Sequence, residues 1–291
     1  MMEKLIPFKE NLCSKYATKM ISIKINNVCN CHCSFCVDRG GYKANTIDVD
    51  AISKEAISLT EYKTVIITGG EPFMNINEVQ RLCEKIRAYK NRIVLNTNGS
   101  LLSTENVSKI NPYIDELQIS IHSPNQEENG KVFGKVIDFT TIRETLKEAK
   151  FKIVINSTFN RYVTDKEGFF KSMVDLCHYI GAKGLRLTEL KKVDEQEFIE
   201  AKEFIKHPFI SRPSDHLITE GCTSYFTLDG IGVSIKRLCQ YAKGSKSKNF
   251  SCCFVSKEGL ENIDIDTDDT FKVIYSDGSV FNDWIFSPNS L

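Results

Sequence analysis

Short apolar runs alternate with amphipathic stretches along most of the chain. Between the runs, apolar residues recur at helical spacing, for example at Ile76, Val79, Leu82 and Ile86. Recurrence every three or four residues is typical of helices, whereas short apolar runs are typical of buried strands. The strand-like runs span residues 21–28, 64–68, 92–97, 116–122, 152–159 and 184–190. This alternation predicts a parallel sheet with helices on its outer face.

The number of strand–helix units limits the architecture. A closed barrel of this kind has eight parallel strands, each followed by a helix. The sequence offers six such strands between residues 21 and 190, which predicts a partial (βα)6 TIM-like barrel of the α/β class. Ligands of such sheets bind at the carboxyl ends of the strands. We therefore expect the chemistry of this chain in the loops that follow its strands.

The alternation ends after residue 190. Residues 207–219 contain two prolines, which mark a linker. Beyond the linker, Asp-Gly pairs at 229–230 and 277–278 lie between strand-like runs, and each pair predicts a β-hairpin. The predicted parts are an N-terminal extension at 1–20, a core domain at 21–206, the linker and a small β-rich appendage at 220–291.

Composition and charge exclude several classes of protein. Lys and Arg together number 38, equal to Asp and Glu, so we expect no nucleic-acid partner and no anionic membrane surface. No apolar run approaches the ~20 residues that a membrane-spanning helix needs. The first residues lack the apolar segment of a signal peptide, so we expect a cytoplasmic protein.

Cysteine is abundant, with 11 residues in a compartment where thiols stay reduced. Metal ligation explains such a number better than disulfides do. Cys83 and Cys177 lie on apolar helical stripes and are expected to be buried core thiols. Two other groups stand out, one within residues 29–36 and one between residues 222 and 253.

The first group is the sequence CNCHCSFC at residues 29–36, directly after the first strand. A tetrahedral zinc site could use all four thiolates. An iron–sulfur cluster could use three and leave one iron open. Cys29, Cys33 and Cys36 have the spacing CxxxCxxC, with Phe35 directly before the last cysteine.

This spacing resembles the cluster-binding loop of the radical S-adenosylmethionine (SAM) enzymes. The resemblance implies that Cys29, Cys33 and Cys36 hold three irons of a [4Fe–4S] cluster, while the fourth iron chelates SAM. Phe35 then belongs to the SAM site, and Cys31 is not a ligand. Thiolate sulfur suits such clusters. A four-cysteine zinc knot is the alternative.

A second element, after the second strand, disfavours the zinc knot. Residues 69–72 resemble the GGEP segment of the same family. The resemblance implies that backbone groups of this segment and its acidic side chain receive the ammonium group of SAM. The glycines would let the main chain approach the ligand closely. The cofactor-binding residues predicted here are Gly69, Gly70, Glu71 and Pro72.

Polar residues at later strand ends complete the predicted SAM site. In relatives such residues reach the ribose and carboxylate of SAM, and their counterparts here are Asn98, Ser120, Ser157 and Glu189. Singly, each is equally typical of a solvated strand end. His122 is either a substrate contact or a hydrogen-bonded structural histidine.

The second group of cysteines surrounds the first predicted hairpin. Cys222 and Cys239 bracket the hairpin, and Cys252 and Cys253 follow it. This arrangement resembles the Twitch appendage, the short relative of the SPASM domain, and implies an auxiliary [4Fe–4S] cluster. Zinc ligation and buried core thiols are the alternatives. In the adjacent pair, one cysteine ligates beside an open iron, or both ligate, or the spare thiol, assigned to Cys253, donates a hydrogen atom to a substrate radical.

The resemblance implies a function as well as a fold. A radical SAM enzyme cleaves SAM reductively to a 5′-deoxyadenosyl radical, with an electron from a flavodoxin- or ferredoxin-type donor, and abstracts hydrogen from its substrate. We expect a small-molecule biosynthetic substrate that is oxidised, cyclised or rearranged with help from the auxiliary cluster. Maturation of a ribosomally made peptide is one alternative, and a non-catalytic zinc-binding module is another.

The sequences at both ends of the chain give indications about the class of substrate. Twenty residues precede the first predicted strand, so no leader-peptide recognition domain is expected, which favours a small molecule. The chain ends in SPNSL, without the Gly-Gly tail of the molybdenum-cofactor cyclases, and this disfavours that particular activity.

Overall fold

The structure is a computed structural model, and it describes residues 19–36, 44, 46–189, 218–220, 223–236, 271–282 and 284. These residues form an α/β fold with a mostly parallel sheet, a partial TIM barrel that does not close. The predicted fold class is confirmed. None of the described helices is long and apolar enough to cross a membrane.

Strands and helices alternate along the core as predicted. The core strands are β1 (Met20–Lys24), β2 (Thr64–Thr68), β3 (Arg92–Thr97), β4 (Glu116–Ser120), β5 (Lys152–Thr158) and β6 (Gly184–Thr188). The helices are α1 (Val49–Ser58), α2 (Ile76–Ile86), α3 (Thr104–Ile110), α4 (Gln126–Phe133), α5 (Phe139–Thr145) and α6 (Phe169–Ile180), with short 3-10 helices at Pro72–Asn75 and Arg87–Tyr89. The later strands are β7 (Ile218–Glu220), β8 (Thr223–Leu228), β9 (Ile231–Lys236), β10 (Phe271–Tyr275) and β11 (Val280–Phe281).

The core strands β1 to β6 pair in parallel and in sequence order. The sheet continues at both ends, because β10 pairs in parallel with β1 and β9 pairs in parallel with β6. The full order is β11-β10-β1-β2-β3-β4-β5-β6-β9-β8-β7, with antiparallel strands outermost. The parallel part of the sheet is thus wider than the six strands that the sequence predicted.

Both predicted β-hairpins are present. Asp229 and Gly230 have φ values of 48° and 77°, the left-handed conformation that a two-residue type I′ turn requires at both positions. The hairpins join the core sheet at opposite edges, β8–β9 beside β6 and β10–β11 beside β1. The division into domains stays a prediction, since residues 190–217 and 237–270 lie outside the described residues.

One face of the sheet is packed by helices, and the other is largely polar. Alternate strand residues such as Ile23, Leu95 and Ile155 are fully buried in the main hydrophobic core, together with Val79 and Leu82 of α2. The residues between them point to the opposite face, which we call the inner face. Toward the strand ends it carries Lys24, Thr68, Asn96, Gln118, Ser120, Asn156, Thr158, Arg186, Thr188, Ser234, Lys236 and Tyr275.

Local sequence signals explain where the helices begin and end. Asp48 and Asp138 precede α1 and α5, and their carboxylates accept N–H groups of the first helical turn. Helix α6 ends at Gly181, whose φ of 86° suits the left-handed position after a helix. Cys83 on α2 and Cys177 on α6 are fully buried, which confirms that both are core thiols.

Candidate active site

The cysteine loop follows β1 at the carboxyl edge of the sheet. Cys29 is exposed and Cys33 and Cys36 are partly exposed, whereas Cys31 is buried against the hydrophobic core. The backbone N–H of Cys36 donates to the carbonyl of Cys33 at 3.2 Å, which forms a turn between these two residues. The three accessible cysteines are those that the sequence predicts as cluster ligands.

The positions of the thiols are the first test of the predicted cluster site. Within the described part of the chain, no three His, Cys, Asp or Glu side chains lie close enough together to hold a metal ion. The loop continues into residues 37–43, which lie outside that part. Metal binding deprotonates thiols and is coupled to local folding, so separated thiols can still form a ligand set. The donor chemistry fits a [4Fe–4S] cluster, and the ligation itself stays a prediction.

Cys29 and Cys31 differ in their tendency to ionise. The side-chain hydrogen bond from Cys31 is the main reason why the pKa of Cys29 falls to about 6. The backbone N–H of Cys31, 3.4 Å from the Cys29 sulfur, acts in the same direction. The same side-chain hydrogen bond is the main reason why the pKa of Cys31 is raised, and burial of the thiol is the second reason. Cys29 therefore ionises near neutral pH, as metal ligation requires, while Cys31 stays protonated.

Gly69 and Gly70 lie against the backbone that leads into the cysteine loop. The backbone N–H of Gly70 donates to the carbonyl and to the side-chain oxygen of Asn26, at 3.2 and 3.0 Å. A Cβ atom on Gly70 would lie 2.2 Å from the carbonyl oxygen of Val28, and one on Gly69 would lie 2.6 Å from the Asn26 side chain. These glycines permit the close packing of two protein loops. The predicted close approach of this main chain to SAM stays a prediction.

Glu71 is 1% exposed, and its carboxylate is hydrogen-bonded inside the protein. One oxygen accepts the backbone N–H of Phe73 at 3.0 Å and the hydroxyl of Thr97 at 2.7 Å. The other accepts the backbone N–H of Asn98 at 2.7 Å. Burial raises the pKa of Glu71 to about 7. The side chain joins the loop after β2 to the end of β3, and its contact with the ammonium group of SAM stays a prediction.

Asn26 is a residue of this region that the sequence reasoning missed. It is buried directly after β1, and its side-chain N–H group donates to the carbonyl of Glu71 and to the side chain of Asn75, both at 2.8 Å. Pro72, also buried, begins the short 3-10 helix that ends at Asn75. The only signal in the sequence was a polar residue at a strand end, which does not reveal that its partners are protein groups.

Asn98 lies beside the cysteine loop, and its contact with SAM stays a prediction. Its side-chain N–H group donates to the side-chain oxygen of Asn30 at 2.9 Å and lies 3.9 Å from the Cys29 sulfur. Its side-chain oxygen accepts the backbone N–H of Ser100 at 2.9 Å, and Asn30 donates to the Ser100 hydroxyl at 2.8 Å. Asn98 thus connects the loops after β1 and β3.

Phe35, a residue of the cysteine loop, forms an aromatic contact with His122. Their rings meet edge to face with centroids 5.1 Å apart, and Phe35 is buried. The ring nitrogen Nδ1 of His122 accepts the backbone N–H of Thr158 at 3.1 Å. Burial lowers the pKa of His122 to about 3, so the ring is neutral. Of the two interpretations, the structure supports the hydrogen-bonded structural histidine.

The remaining predicted SAM contacts separate into two environments. Ser120 ends β4 on the inner face and is partly exposed. Ser157 is 2% exposed and lies opposite Leu187 in the sheet, on the helix-packed face, so the prediction that it points to the mouth of the barrel is wrong. Its hydroxyl has no hydrogen-bond partner among the described residues. Glu189 is buried just after β6, and its backbone N–H donates to the carbonyl of Lys236 at 3.0 Å.

The predicted auxiliary site lies outside the described residues. This applies to Cys222, Cys239, Cys252 and Cys253, and so to the hydrogen-donor role predicted for Cys253.

The sequence of this chain is similar to those of known proteins. The sequence model of the radical SAM superfamily matches residues 23–169. The chain is 24% identical to the GTP 3′,8-cyclase of Aquifex aeolicus (strain VF5) over 287 residues, which cover 89% of each chain. It is 25% identical to the GTP 3′,8-cyclase of Synechocystis sp. (strain ATCC 27184 / PCC 6803 / Kazusa) over 243 residues, 70% of this chain and 66% of that protein.

Solved structures resemble this fold at low sequence identity. SuiB of Streptococcus suis bound to S-adenosylmethionine has a TM-score of 0.64 at 14% identity, and the match covers 91% of this chain. The chain spans 60% of the length of SuiB. A radical SAM methyltransferase from Sphaerobacter thermophilus has a TM-score of 0.54 at 14% identity, over 77% of this chain and 67% of that protein. At these identities the likeness concerns the fold alone.

Proposed function

This chain belongs to the radical SAM superfamily, and we propose that it acts on a small-molecule biosynthetic substrate, which it oxidises, cyclises or rearranges. The superfamily implies a [4Fe–4S] cluster and SAM as cofactors. The observation that carries the substrate class is the similarity to a GTP 3′,8-cyclase over 89% of both chains. This similarity extends beyond the barrel strands into the C-terminal part of the chain.

Cys29, Cys33 and Cys36 would hold the cluster. When bound, the cluster and SAM supply a 5′-deoxyadenosyl radical that abstracts a hydrogen atom from the substrate. A flavodoxin- or ferredoxin-type protein would supply the electron. Cys31 is buried against the hydrophobic core, so it would not be a ligand and would leave the fourth iron to SAM.

The chain's own residues provide a fixed frame for this chemistry. Glu71 joins the loop after β2 to the end of β3, and Asn98 joins the end of β3 to the cysteine loop. Backbone groups of residues 69–72 and the remaining acceptor capacity of the Glu71 carboxylate would receive the ammonium group of SAM. A frame held by buried hydrogen bonds keeps reacting groups in one geometry, which is what radical transfer to a single substrate position needs.

We include the auxiliary cluster in the proposal. Its ligands would be Cys222, Cys239 and one or both of Cys252 and Cys253. The register of the described hairpin supports this, because it pairs Thr223, which follows Cys222 in the sequence, with Lys236, which precedes Cys239 by three residues. Cysteines at both ends of one hairpin suit a shared cluster.

Anaerobic reconstitution with iron and sulfide, followed by reduction in the presence of SAM, tests the proposal. We expect 5′-deoxyadenosine from SAM alone, and faster formation with a true substrate. GTP is the first candidate, because of the names of the relatives, although the lack of a Gly-Gly tail disfavoured this activity in the sequence. Mass spectrometry of the nucleotide would detect a cyclised product. Protein that binds zinc and does not cleave SAM would contradict the proposal. If a peptide accelerates SAM cleavage and small molecules do not, the substrate is a peptide and the proposed substrate class is wrong.

A further inference from the structure

The inner face of the sheet carries polar side chains across several neighbouring strands, just below the loops of the candidate active site. Asn96 lies opposite Gln118 in the pairing of β3 with β4, and Asn156 lies opposite Arg186 in the pairing of β5 with β6. Such positions in the core of a sheet are usually apolar, as they are on the helix-packed face. A polar inner face therefore needs a reason, and a polar ligand is the simplest one.

Gln118 is 3% exposed, and its hydrogen bonds fix which way its amide points. Its N–H group donates to the carboxylate of Glu116 at 2.6 Å. Since a carboxylate only accepts, the amide oxygen must face the other way, where it accepts from Asn156 at 2.8 Å and from Arg186 at 3.1 Å. Gln118 thus positions the guanidinium of Arg186 on the inner face.

The charge balance of this face is positive. Glu116 is the only carboxylate on the inner face of the described parallel strands, and it is already paired with Arg92 at 2.7 Å and Lys152 at 3.8 Å. Arg186 and Lys236 are both exposed, on neighbouring strands. Arg186 lies opposite Ser234, and Lys236 is two residues further along β9, so both cations lie on the same face, one row apart.

From this arrangement we propose that Arg186 and Lys236 bind an anionic group of the substrate, a carboxylate or a phosphate. The guanidinium offers several N–H donors in a planar fork, and within the described part of the chain one hydrogen bond, to Gln118, orients it. Lys236 adds a second charge at the strand end, nearer the loops. The inference rests on the proposed function, since it takes the inner face as the substrate site, and it narrows the substrate to small organic anions.

Two probe anions test the inference with the reconstituted full chain, held without reductant, first without SAM and then with saturating SAM. Calorimetry measures the binding of tripolyphosphate and of citrate, which separate a phosphate site from a carboxylate site. We expect at least one anion to bind, and Arg186→Gln and Lys236→Gln each to weaken it by about tenfold or more. Arg186→Lys should retain part of the affinity, since it keeps the charge and loses the fork.

Arg143→Gln is the matched control. Arg143 is an exposed arginine whose guanidinium lies 4.9 Å from the ring centre of Tyr179 on α6, away from the inner face. The Arg143→Gln variant should bind the probe anion with the same affinity as the wild type. If Arg186→Gln fails to unfold cooperatively in a thermal scan, Lys236→Gln decides the question, and unchanged binding in that variant overturns the inference.

Three other outcomes overturn it. They are the absence of binding of both anions to the wild type, equal binding by wild type and Arg186→Gln, and loss of the anion when SAM is added. The last would place the two cations at the carboxylate of SAM. Because wild-type SAM cleavage is measured separately and needs no anion, failure of the inference is distinguishable from failure of the proposed function.

Discussion

The carboxylate of Glu71 accepts a hydrogen bond of 2.7 Å from the hydroxyl of Thr97. Both residues are buried, and they come from the loop after β2 and from the end of β3. Together with the contacts of Asn98, this bond makes the three loops of the candidate site one connected unit. A substitution at any point of this unit should therefore affect the other two loops.

Glu71→Gln should destabilise the protein. The carboxylate accepts three hydrogen bonds, and an amide N–H group would meet at least one of those donors instead. A buried donor without an acceptor costs about 1–3 kcal/mol. Urea unfolding of the protein measures the loss, with Glu105→Gln as the control, since Glu105 is exposed on α3. Equal stabilities of the two variants would contradict the role given to Glu71.

Gly70→Ala should disturb the packing of the loops after β1 and β2. The new Cβ atom would lie 2.2 Å from the carbonyl oxygen of Val28, a distance that requires backbone movement. Overpacking of this kind costs about 1–3 kcal/mol, occasionally more. Gly232→Ala is the control, because the nearest atom to its Cβ, the carbonyl oxygen of Lys183, would be 3.6 Å away. The unfolding midpoints of the two variants measure this difference in stability. A Gly70→Ala variant as stable as the Gly232→Ala control would refute the packing argument.

Cys31→Ala should keep the iron of the SAM-binding cluster. The thiol is buried, and the pKa of Cys31 is raised, so it is the poorest ligand in the loop. Alanine at Cys29, Cys33 or Cys36 should instead remove about four irons per chain, one [4Fe–4S] cluster. Iron and sulfide analysis after anaerobic reconstitution measures this, with Cys83→Ala as a buried control. Iron lost from the Cys31 variant would show that the ligand triple is different.

Replacing both Cys222 and Cys239 by alanine should halve the iron. Two [4Fe–4S] clusters give about eight irons, and the variant should retain about four. SAM cleavage should continue in this variant, because the cluster that binds SAM has its own ligands. Four irons in the wild type, or zinc bound by the C-terminal cysteines, would rule out the auxiliary cluster.

Buried Glu71 and His122 should change the stability in opposite directions as the pH drops. Burial raises the folded-state pKa of Glu71 to about 7, so protonation of Glu71 below that pH favours the folded chain. His122, in contrast, should lower the stability below about pH 6.5. Burial lowers its folded-state pKa to about 3, below the ordinary value of 6.5, so the unfolded chain binds the proton first. In the interval between the two values His122 contributes a loss of up to about 1.4 kcal/mol per pH unit. Unfolding free energies between about pH 7 and pH 5 measure the slope. His122→Gln should show a smaller slope than the wild type, and replacing the exposed His178 should not change it.

The sequence predicted the strands well, because buried apolar runs and helical periodicity report directly on the core. It also located the cysteine loop, the GGEP segment and Asn98 at one edge of the sheet. It did not predict the orientation of Glu71, which lies in a loop. The wrong prediction for Ser157 overlooked strand alternation, which places Ser157 on the same face as Ile155. Whether Glu71 meets a ligand or Thr97 depends on the packing of three loops that are distant in sequence.

The prediction from the sequence placed both hairpins in one appendage. Turn residues such as Asp229 and Gly230 locate a hairpin, but they carry no information about which strand its outer edge meets. In the structure β9 extends the sheet from β6 and β10 extends it from β1. Parallel pairing between distant segments leaves little trace in local sequence patterns.

The pairing of β10 with β1 has a consequence for how the chain folds as it is made. Strand β1 leaves the ribosome early, whereas β10 (Phe271–Tyr275) leaves it after most of the chain. Until then one edge of β1 has no neighbour, and an open strand edge is a template for pairing with other chains. Nascent chains that pause before β10 therefore expose a strand edge that can pair with other chains, and completion of β10 removes this edge.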